Sequence, residues 1–505
     1  MKKIIRLLLL CFLICLDVNS QTVSKEMALQ VAENFWRVNS SENIREPILV
    51  QPWGESVQPT MYVCSLSDRW VLIAGDKRIQ PILAYSDENS EAFPRNDEMP
   101  PAMQYLIEWY SSQIEAVRND SVHKPMNSQW GNTFRNKNIN LRNREAIIAP
   151  LLSRGGSEVA WGQRGNNNGN NIAKSYNKFC PSVNDSSQQC EHALVGCVAV
   201  AISQVMWYWQ WPYTAIVKDD NYQSLLRYYD WTLMPSQLTD TSSISQANMV
   251  ANLLHDVGVS VNMNYGCSGS SALPSYIASS LRNMFYYTAD NLKYRSSYSD
   301  SIWLTMIKDE LNQFSPVLYG GQRTGGRAHR FVIDGYDSDN FFHVNYGWKG
   351  SGNGNFTLNS ITYNSNQSMV MNIRPNYPTC TLLTIPVSEV WTTNFIVQNG
   401  GGITIGDRSI SNGMHGVIFS EEYVKLTSGF KVESGAEVYI DIKDMHCGDD
   451  RPIISAPRIR QINQPLIRQN INTTYDSGAQ KVFRNGHIYI KRGENVYNIS
   501  GMRIK

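Results

Sequence analysis

The segment around residues 196–206 restricts the fold more than any other part of the chain. Gly196 and Cys197 are followed by small and apolar residues, which predict a buried helix that ends before Pro212. Gly196 allows a tight turn into this helix and leaves room for another molecule to approach. Cys197 would then lie at the helix N-terminus, where the helix dipole stabilises a thiolate and lowers the pKa of the thiol. Taken alone, the segment also fits a buried structural cysteine.

Two strand-like segments further along the chain carry side chains that suit a reactive thiolate. His329 opens one predicted strand, and Asn345 ends the next. A hairpin of these strands would place the two side chains together, so that Asn345 orients the imidazole as a base for Cys197. Trp348 or Tyr346 would shield that contact from water.

An oxyanion donor is expected upstream of the nucleophile. Gln163 follows Ala160-Trp161-Gly162, and its amide together with the Cys197 backbone N–H would hold a developing oxyanion. A glutamine by itself is usually a surface residue, so this role depends on the whole set. Chemistry of this kind needs no metal and no organic cofactor.

These segments together resemble the streptopain family of bacterial cysteine peptidases, which have a papain-like fold. The matching segments are Trp161-Gly162-Gln163, Gly196-Cys197-Val198-Ala199, Val257–Val261 with Met263–Gly266, His329 with Phe331–Gly335, and His343–Asn345 with Gly347-Trp348. His329 and Asn345 follow Cys197 by 132 and 148 residues, near the roughly 130–150 residues typical of papain-like enzymes. By this resemblance Cys197 is the nucleophile, His329 the base and acid, Gln163 the oxyanion donor and Asn345 the orienting residue.

The resemblance implies an endopeptidase that acts on protein or peptide substrates, with an apolar side chain favoured just before the scissile residue. Two departures from the family pattern stand near the site. Arg330 follows the histidine where the family usually has alanine, and its bulky charge would alter substrate preference. Tyr346 stands where tryptophan is common, so the shielding would differ. A cysteine-dependent acyltransferase and a catalytically inert exported adhesin or binding protein are the alternatives.

Two further histidines compete for the role of base. His343 lies two residues before Asn345, and residues two apart in a strand share a face, so periodicity alone does not exclude it. His192 lies five residues before Cys197 and is interpreted as a loop residue. Spacing and the family register favour His329.

The chain divides into five predicted segments of an α+β protein. They are a signal peptide (1–20), a small α+β propeptide (21–145), a papain-like domain (146–375), a β-rich module (376–450), and a linker with a C-terminal β tail (451–505). Trp70–Asp76 and Ile82–Ser86 resemble the propeptide that the family shares with its inhibitor proteins. This propeptide would act as an intramolecular inhibitor until the chain is cut between Asn136 and Ile148.

Export is predicted from the N-terminus. Lys2, Lys3 and Arg6 precede a short apolar run that is better suited to a cleaved signal than to a membrane span. The C-terminal region resembles tails of proteins exported by Bacteroidetes-type bacteria, so we expect a secreted or cell-surface protein of a Gram-negative bacterium. The 45 basic and 44 acidic residues nearly cancel, which argues against nucleic acid as a partner.

The cysteine count fits an exported protein with a reactive thiol. Nine cysteines become seven once the predicted signal is removed, so at least one stays unpaired. The expected disulfides are Cys180–Cys190 and Cys380–Cys447. In the C-terminal region no long internal repeat is recognised, and His487–Ile490 is predicted to pair with Tyr497–Ile499 as a hairpin.

Overall fold

The computed structural model describes residues 21–39, 46–54, 58–86, 93–94, 99, 101–120, 125–130, 146–167, 169, 171–184, 188–218, 224–322, 328–358, 363, 365–447, 458–462, 480–484, 487–492 and 495–498. The longer α-helices in these ranges are α1 (Lys25–Asn39), α2 (Pro101–Asn119), α3 (Cys197–Trp209), α4 (Ile244–Ser260), α5 (Tyr276–Asn283) and α6 (Asp300–Asn312). The predicted signal peptide and most of the predicted cut region lie outside the described residues.

The strands run the length of the described chain. In chain order they are β1 (Leu49–Trp53), β2 (Met61–Ser65), β3 (Trp70–Ala74), β4 (Ile82–Tyr85), β5 (Ala146–Ile148), β6 (Ser153–Arg154), β7 (Ser157–Glu158), β8 (Val183–Asn184), β9 (Gln189–Cys190), β10 (Thr214–Lys218), β11 (Ser224–Tyr228), β12 (Tyr287–Thr288), β13 (Lys293–Tyr294), β14 (Val317–Gln322), β15 (Ala328–Asp337), β16 (Phe342–Asn345), β17 (Gly354–Phe356), β18 (Ser365–Val370), β19 (Arg374–Pro375), β20 (Leu383–Ile385), β21 (Asn394–Asn399), β22 (Ile403–Ile405), β23 (Ser409–Ile410), β24 (His415–Ser420), β25 (Val424–Leu426), β26 (Lys431–Val432), β27 (Glu437–Ile442), β28 (Arg458–Ile462), β29 (Gln480–Arg484), β30 (His487–Arg492) and β31 (Asn495–Asn498).

The N-terminal unit, residues 21–119, forms as its sequence pattern predicts. The Ser24 hydroxyl accepts a hydrogen bond from the Met27 N–H at the start of α1. Ala28, Val31 and Phe35 lie on one face of that helix and are buried. This face packs on β1–β3 and belongs to a buried cluster that continues into the central domain.

One large antiparallel sheet joins this unit to the central domain, residues 146–375. The sheet has eleven strands in the order β1-β2-β3-β4-β17-β16-β15-β14-β18-β13, with β5 beside β15. The two units meet where β4 pairs with β17, through Tyr85 opposite Asn355 and Ala84 opposite Phe356. The fold is mixed α+β, as predicted.

The two faces of strand β15 belong to different hydrophobic clusters. Phe331 and Ile333 pack with the N-terminal unit and α6, whereas Val332 packs with α3 and α4. Because side chains alternate along a strand, this division shows where each residue of β15 points.

The C-terminal region contains a parallel β-solenoid formed by β20–β27. The prediction that this region has no long internal repeat is therefore wrong. Ile396 lies beside Val417 and Val417 beside Tyr439, at spacings of 21 and 22 residues. The neighbouring strands β20-β22-β25 and β23-β26 are also parallel. The repeat was missed because each rung keeps only the inward apolar pattern, without recurring residue identities. The predicted C-terminal hairpin is confirmed by the pairing of β30 with β31.

Two disulfides are present among the described cysteines. Cys380–Cys447 is confirmed, and it joins the two ends of the solenoid. The predicted Cys180–Cys190 pair is wrong, because Cys190 is bonded to Cys267, and Cys180 is buried outside any disulfide. Contacts between distant loops bring Cys267 into place, among them the bond from its backbone N–H to the Gln188 side chain (2.9 Å).

Within the part of the chain that the structure describes, we find no helix that is both long and apolar enough to cross a membrane.

Candidate active site

Cys197 is the first residue of α3, as predicted. Gly196 precedes it with φ 89°, in a region that side chains with a Cβ rarely adopt. A Cβ at Gly196 would also lie 2.7 Å from Sδ and Cε of Met263. Glycine is therefore required twice at this turn, once by the backbone and once by the packing. The thiol is free and partly buried.

The environment of the thiol differs from the sequence-based expectation. Burial raises the pKa of Cys197, and this effect exceeds the lowering by the Arg330 backbone N–H, the Arg330 charge and the N–H groups of the helix N-terminus. In this form the thiol is therefore protonated near neutral pH. The expected stabilisation by the helix end is present, but it is outweighed.

His329 is buried on β15 and is held by a backbone carbonyl. Its Nε2 lies 2.9 Å from the carbonyl oxygen of Tyr346. A carbonyl only accepts hydrogen bonds, so Nε2 carries the proton and Nδ1 of the neutral ring is the basic nitrogen. Burial lowers the pKa of His329 to about 4, and the Arg330 charge acts in the same direction.

Aromatic rings surround the imidazole. The Trp348 ring stacks on His329 with centroids 4.5 Å apart, and Tyr363 lies 5.1 Å away. Tyr346 stacks in turn on Trp348, 5.1 Å apart and nearly parallel. The two residues predicted to shield the histidine are therefore next to it.

The structure does not bring Asn345 to His329, contrary to the predicted contact. Asn345 lies opposite Val332 across the β15–β16 pair, so both side chains are on the α3 face of the sheet. His329 is three residues from Val332 and points to the other face. The Asn345 amide instead donates to Glu158 Oε1 (2.8 Å) and to the Val159 carbonyl (2.7 Å). Because Asn345 pairs with Val332, an odd number of residues from His329, the side chains of Asn345 and His329 lie on opposite faces of the sheet.

Gln163 lies beside the entry to the nucleophile helix. Its carbonyl accepts a hydrogen bond from the Val195 N–H (3.0 Å), two residues before Cys197. On its other side, the Trp161 carbonyl accepts from the Lys349 N–H (3.0 Å). The segment that carries Gln163 therefore bridges the start of α3 and the loop after Asn345.

The rival histidines lie elsewhere. His343 Nδ1 contacts Asp334 Oδ1 at 2.6 Å, and its Nε2 is 3.9 Å from Glu158 Oε1. His192 Nδ1 lies 3.1 Å from the Cys180 carbonyl. Each of these two imidazoles thus has polar partners other than Cys197.

A buried network of polar side chains near the site was not predicted from the sequence. Glu158 Oε1 accepts from Asn345 and from Asn353 (2.9 Å), and Asn345 Oδ1 accepts from Gln204 Nε2 (3.1 Å). It ties the segment leading to Gln163 to α3 and β16. A motif could not reveal it, because single polar residues from four segments meet only after folding.

Two protein families match separate parts of the chain. The Spi protease inhibitor family matches residues 20–114, and the Peptidase C10 family matches residues 170–356. Streptopain of Streptococcus pyogenes serotype M28 is 30% identical over 358 residues, which cover 64% of this chain and 82% of streptopain.

Two other relatives come from Porphyromonas and Prevotella. The thiol protease/hemagglutinin PrtT of Porphyromonas gingivalis is 27% identical over 399 residues, which cover 72% of this chain. The match spans only 43% of PrtT. A prointerpain A fragment of Prevotella intermedia has 23% identity and a TM-score of 0.46, over 65% of this chain and 98% of the fragment. The length and identity of the streptopain match, together with the two family matches, show that this chain belongs to the streptopain (peptidase C10) family of cysteine proteases and is a proenzyme with an inhibitory propeptide.

Proposed function

We propose that the chain is a secreted cysteine endopeptidase in which Cys197 is the nucleophile and His329 is the general base and acid. The observation that carries the proposal is the meeting of three segments at the N-terminus of α3. Cys197 begins the helix, and the backbone N–H of Arg330 acts on the Cys197 thiol. The Gln163 carbonyl accepts a hydrogen bond from the Val195 N–H, two residues before Cys197.

The chemistry follows from these groups. His329 takes the proton of Cys197, and the thiolate attacks the peptide carbonyl to form a tetrahedral oxyanion. The Gln163 amide and the Cys197 backbone N–H stabilise that oxyanion. The imidazolium then donates its proton to the leaving amine, and water hydrolyses the thioester with His329 as base.

Latency is explained by the position of the imidazole. His329 sits among aromatic rings on the face of the sheet opposite to α3, with its Nε2 bonded to Tyr346, so the start of β15 must rearrange to bring the imidazole to Cys197 in the active enzyme. Met103 of the N-terminal unit belongs to the same buried cluster as Tyr346, and both lie near Gly352, where a Cβ would be 3.8 Å from Met103 and 4.0 Å from the Tyr346 ring. Removing this unit would free the surroundings of the histidine to rearrange.

Domain limits, substrate class and export complete the proposal. The inhibitory unit spans 21–145, the protease domain 146–375 and the C-terminal regions 376–450 and 451–505, after a signal at 1–20. Protein substrates with an apolar residue just before the scissile residue are inferred from the family. The two disulfides favour an oxidising compartment, in keeping with secretion or the cell surface of a Gram-negative bacterium. The C-terminal regions are candidates for surface delivery, which normal export and localisation after deletion of 376–505 would contradict.

The decisive experiment compares wild type with Cys197→Ala, both expressed without residues 1–20. Precursor mass and casein cleavage are followed over time under reducing conditions. We expect wild type to lose roughly the first 145 residues, the limit set by the polar linker, and to digest casein. Cys197→Ala should do neither.

Cys180→Ala is the matched control, because Cys180 is also a buried cysteine outside any disulfide but has no role in the proposed mechanism. It should be processed like wild type. A wild-type chain that stays full length and inactive, even after trimming in the linker, would refute the peptidase proposal.

A further inference from the structure

Arg330 is a buried charge that the mechanism above does not use. It follows His329 on β15, so its side chain points to the opposite face of the sheet, the face that packs on α3. Only 4% of the residue is exposed. A buried guanidinium normally has an acidic partner, because desolvating a charge without one is unfavourable.

No such partner is found. Within the described ranges, Arg330 forms no ion pair with a carboxylate. Its Nη1 donates to the Ser368 carbonyl (3.0 Å) and its Nη2 to the Ser368 hydroxyl (3.1 Å), and both acceptors are neutral. The phenols of Tyr319 and Tyr294 also act electrostatically on the guanidinium, but neither residue is a carboxylate.

The sheet is shaped to hold this side chain in one place. Arg330 and Ser368 lie on either side of Gly320, in a row across β15, β14 and β18. A Cβ at Gly320 would be 3.0 Å from Cζ and Nε of Arg330, so the guanidinium crosses the sheet over the glycine. Ser368 then fixes its far end.

The Cys197 thiol is another group that acts electrostatically on Arg330. Cys197 lies at the N-terminus of α3, on the same side of the sheet, and each of the two groups acts electrostatically on the other. We propose that the Arg330 guanidinium is the fixed positive charge that stabilises the Cys197 thiolate. The proposal rests on the proposed role of Cys197 and makes Arg330 a positioning residue that acts through it.

The charges of the site agree with this role. Burial lowers the pKa of Arg330 to about 10, so the guanidinium stays charged at neutral pH. His329 is neutral there, because burial holds its pKa at about 4. When the thiol gives up its proton, the thiolate therefore has in Arg330 a counter-charge that does not depend on the protonation of His329.

The test measures the rate of Cys197 alkylation by iodoacetamide between pH 5 and 10 on the full-length precursor, with the labelled residue identified by peptide mass. Arg330→Met removes the charge and keeps an extended side chain, whereas Arg330→Lys keeps the charge. We expect Arg330→Met to slow alkylation about tenfold at every pH below the midpoint of the profile, which corresponds to a rise of about one unit in the pKa of Cys197. Arg330→Lys should remain near wild type.

The same comparison in a His329→Ala background separates the two basic residues, and the shift should persist there. Ser368→Ala, which removes one of the two anchors, should give a smaller shift in the same direction and serves if Arg330→Met does not fold. Identical profiles for folded Arg330→Met and wild type, or equal shifts for methionine and lysine, would overturn the proposal. Alkylation does not require peptidase activity, so the result is independent of whether wild type processes itself.

Discussion

The N-terminal unit extends the sheet of the central domain, whereas the solenoid keeps its own sheets and contacts that domain through side chains. At the N-terminal junction β4 pairs with β17, and the Tyr85 hydroxyl donates to Asp337 Oδ2 (2.7 Å). Trp70 lies behind this pair, with its ring 6.2 Å from Phe356. These contacts continue toward the aromatic rings around His329.

At the other junction the solenoid packs on the β10–β11 hairpin. The Tyr228 ring lies 6.1 Å from Phe419 and 6.2 Å from Tyr439, and Lys443 Nζ is 5.5 Å from its centroid. Phe419 is fully buried in the same cluster as α3 and α4. The solenoid therefore shares the core that supports the nucleophile helix.

The difference assigns separate roles to the two flanking units. The N-terminal unit shares one buried cluster with the face of the central domain that carries Phe331 and Tyr346, so its departure once the chain is cut would uncover that face and change the surroundings of His329. The solenoid contributes buried side chains to the core behind Cys197, so its loss would weaken the central domain itself.

The largest effects should come from truncating one buried ring at each junction. Trp70→Ala and Phe419→Ala should each cost about 3–5 kcal/mol, but in different places. Trp70→Ala should loosen the N-terminal unit and speed processing of the precursor. Phe419→Ala should instead lower the unfolding midpoint of the central domain and leave the order of processing unchanged.

Hydrogen exchange on both variants in the Cys197→Ala background locates each loss without self-cleavage. Equal loss of protection in the N-terminal unit and the central domain for both variants would contradict the contrast between the junctions.

Lowering the pH should reduce the stability of the fold through His329. His329 has a pKa of about 4 when folded and about 6.5 when unfolded. Unfolding therefore takes up a proton between these values, and stability is lost as pH falls from 6.5 to 4, by at most about 3 kcal/mol. Urea unfolding of Cys197→Ala and Cys197→Ala/His329→Gln measures this. Equal pH dependence of the two would exclude His329 as the source.

The smallest expected effect compares a hydrogen bond between the N-terminal unit and the central domain with a hydrogen bond within the solenoid. Tyr85→Phe removes the hydroxyl that donates to Asp337, and the N-terminal unit should bind about tenfold more weakly, for a loss of about 1.5 kcal/mol. Tyr439→Phe removes a comparable bond to Asp441 (3.1 Å), two residues away in the solenoid, and serves as the control. Release of the N-terminal unit from linker-nicked Cys197→Ala precursor gives both values. Equal release rates for the two variants would contradict the prediction.

Much of the site was predictable because its signals are local. Each of these signals depends on a few neighbouring residues: the glycine turn before Cys197, the small residues of α3 and the position of Trp348 after β16. Together with segment order, they identified the family and the residues that surround the thiol.

Relations between distant strands could not be predicted in the same way. Strand alternation gives the face of each residue relative to its neighbours, but not the register between β15 and β16. That register decides that Asn345 joins Glu158 and Gln204, and that a backbone carbonyl holds the imidazole of His329.

The sequence by itself determined the nucleophile helix, the α+β class, the histidine and the protease family, since local patterns and their order suffice for these. Only the tertiary structure decided the Cys190–Cys267 pair, the parallel solenoid and the row of Arg330, Gly320 and Ser368. The physical reason is that register and loop contacts arise from packing of the whole chain, and a one-residue shift between strands reverses which side chains meet.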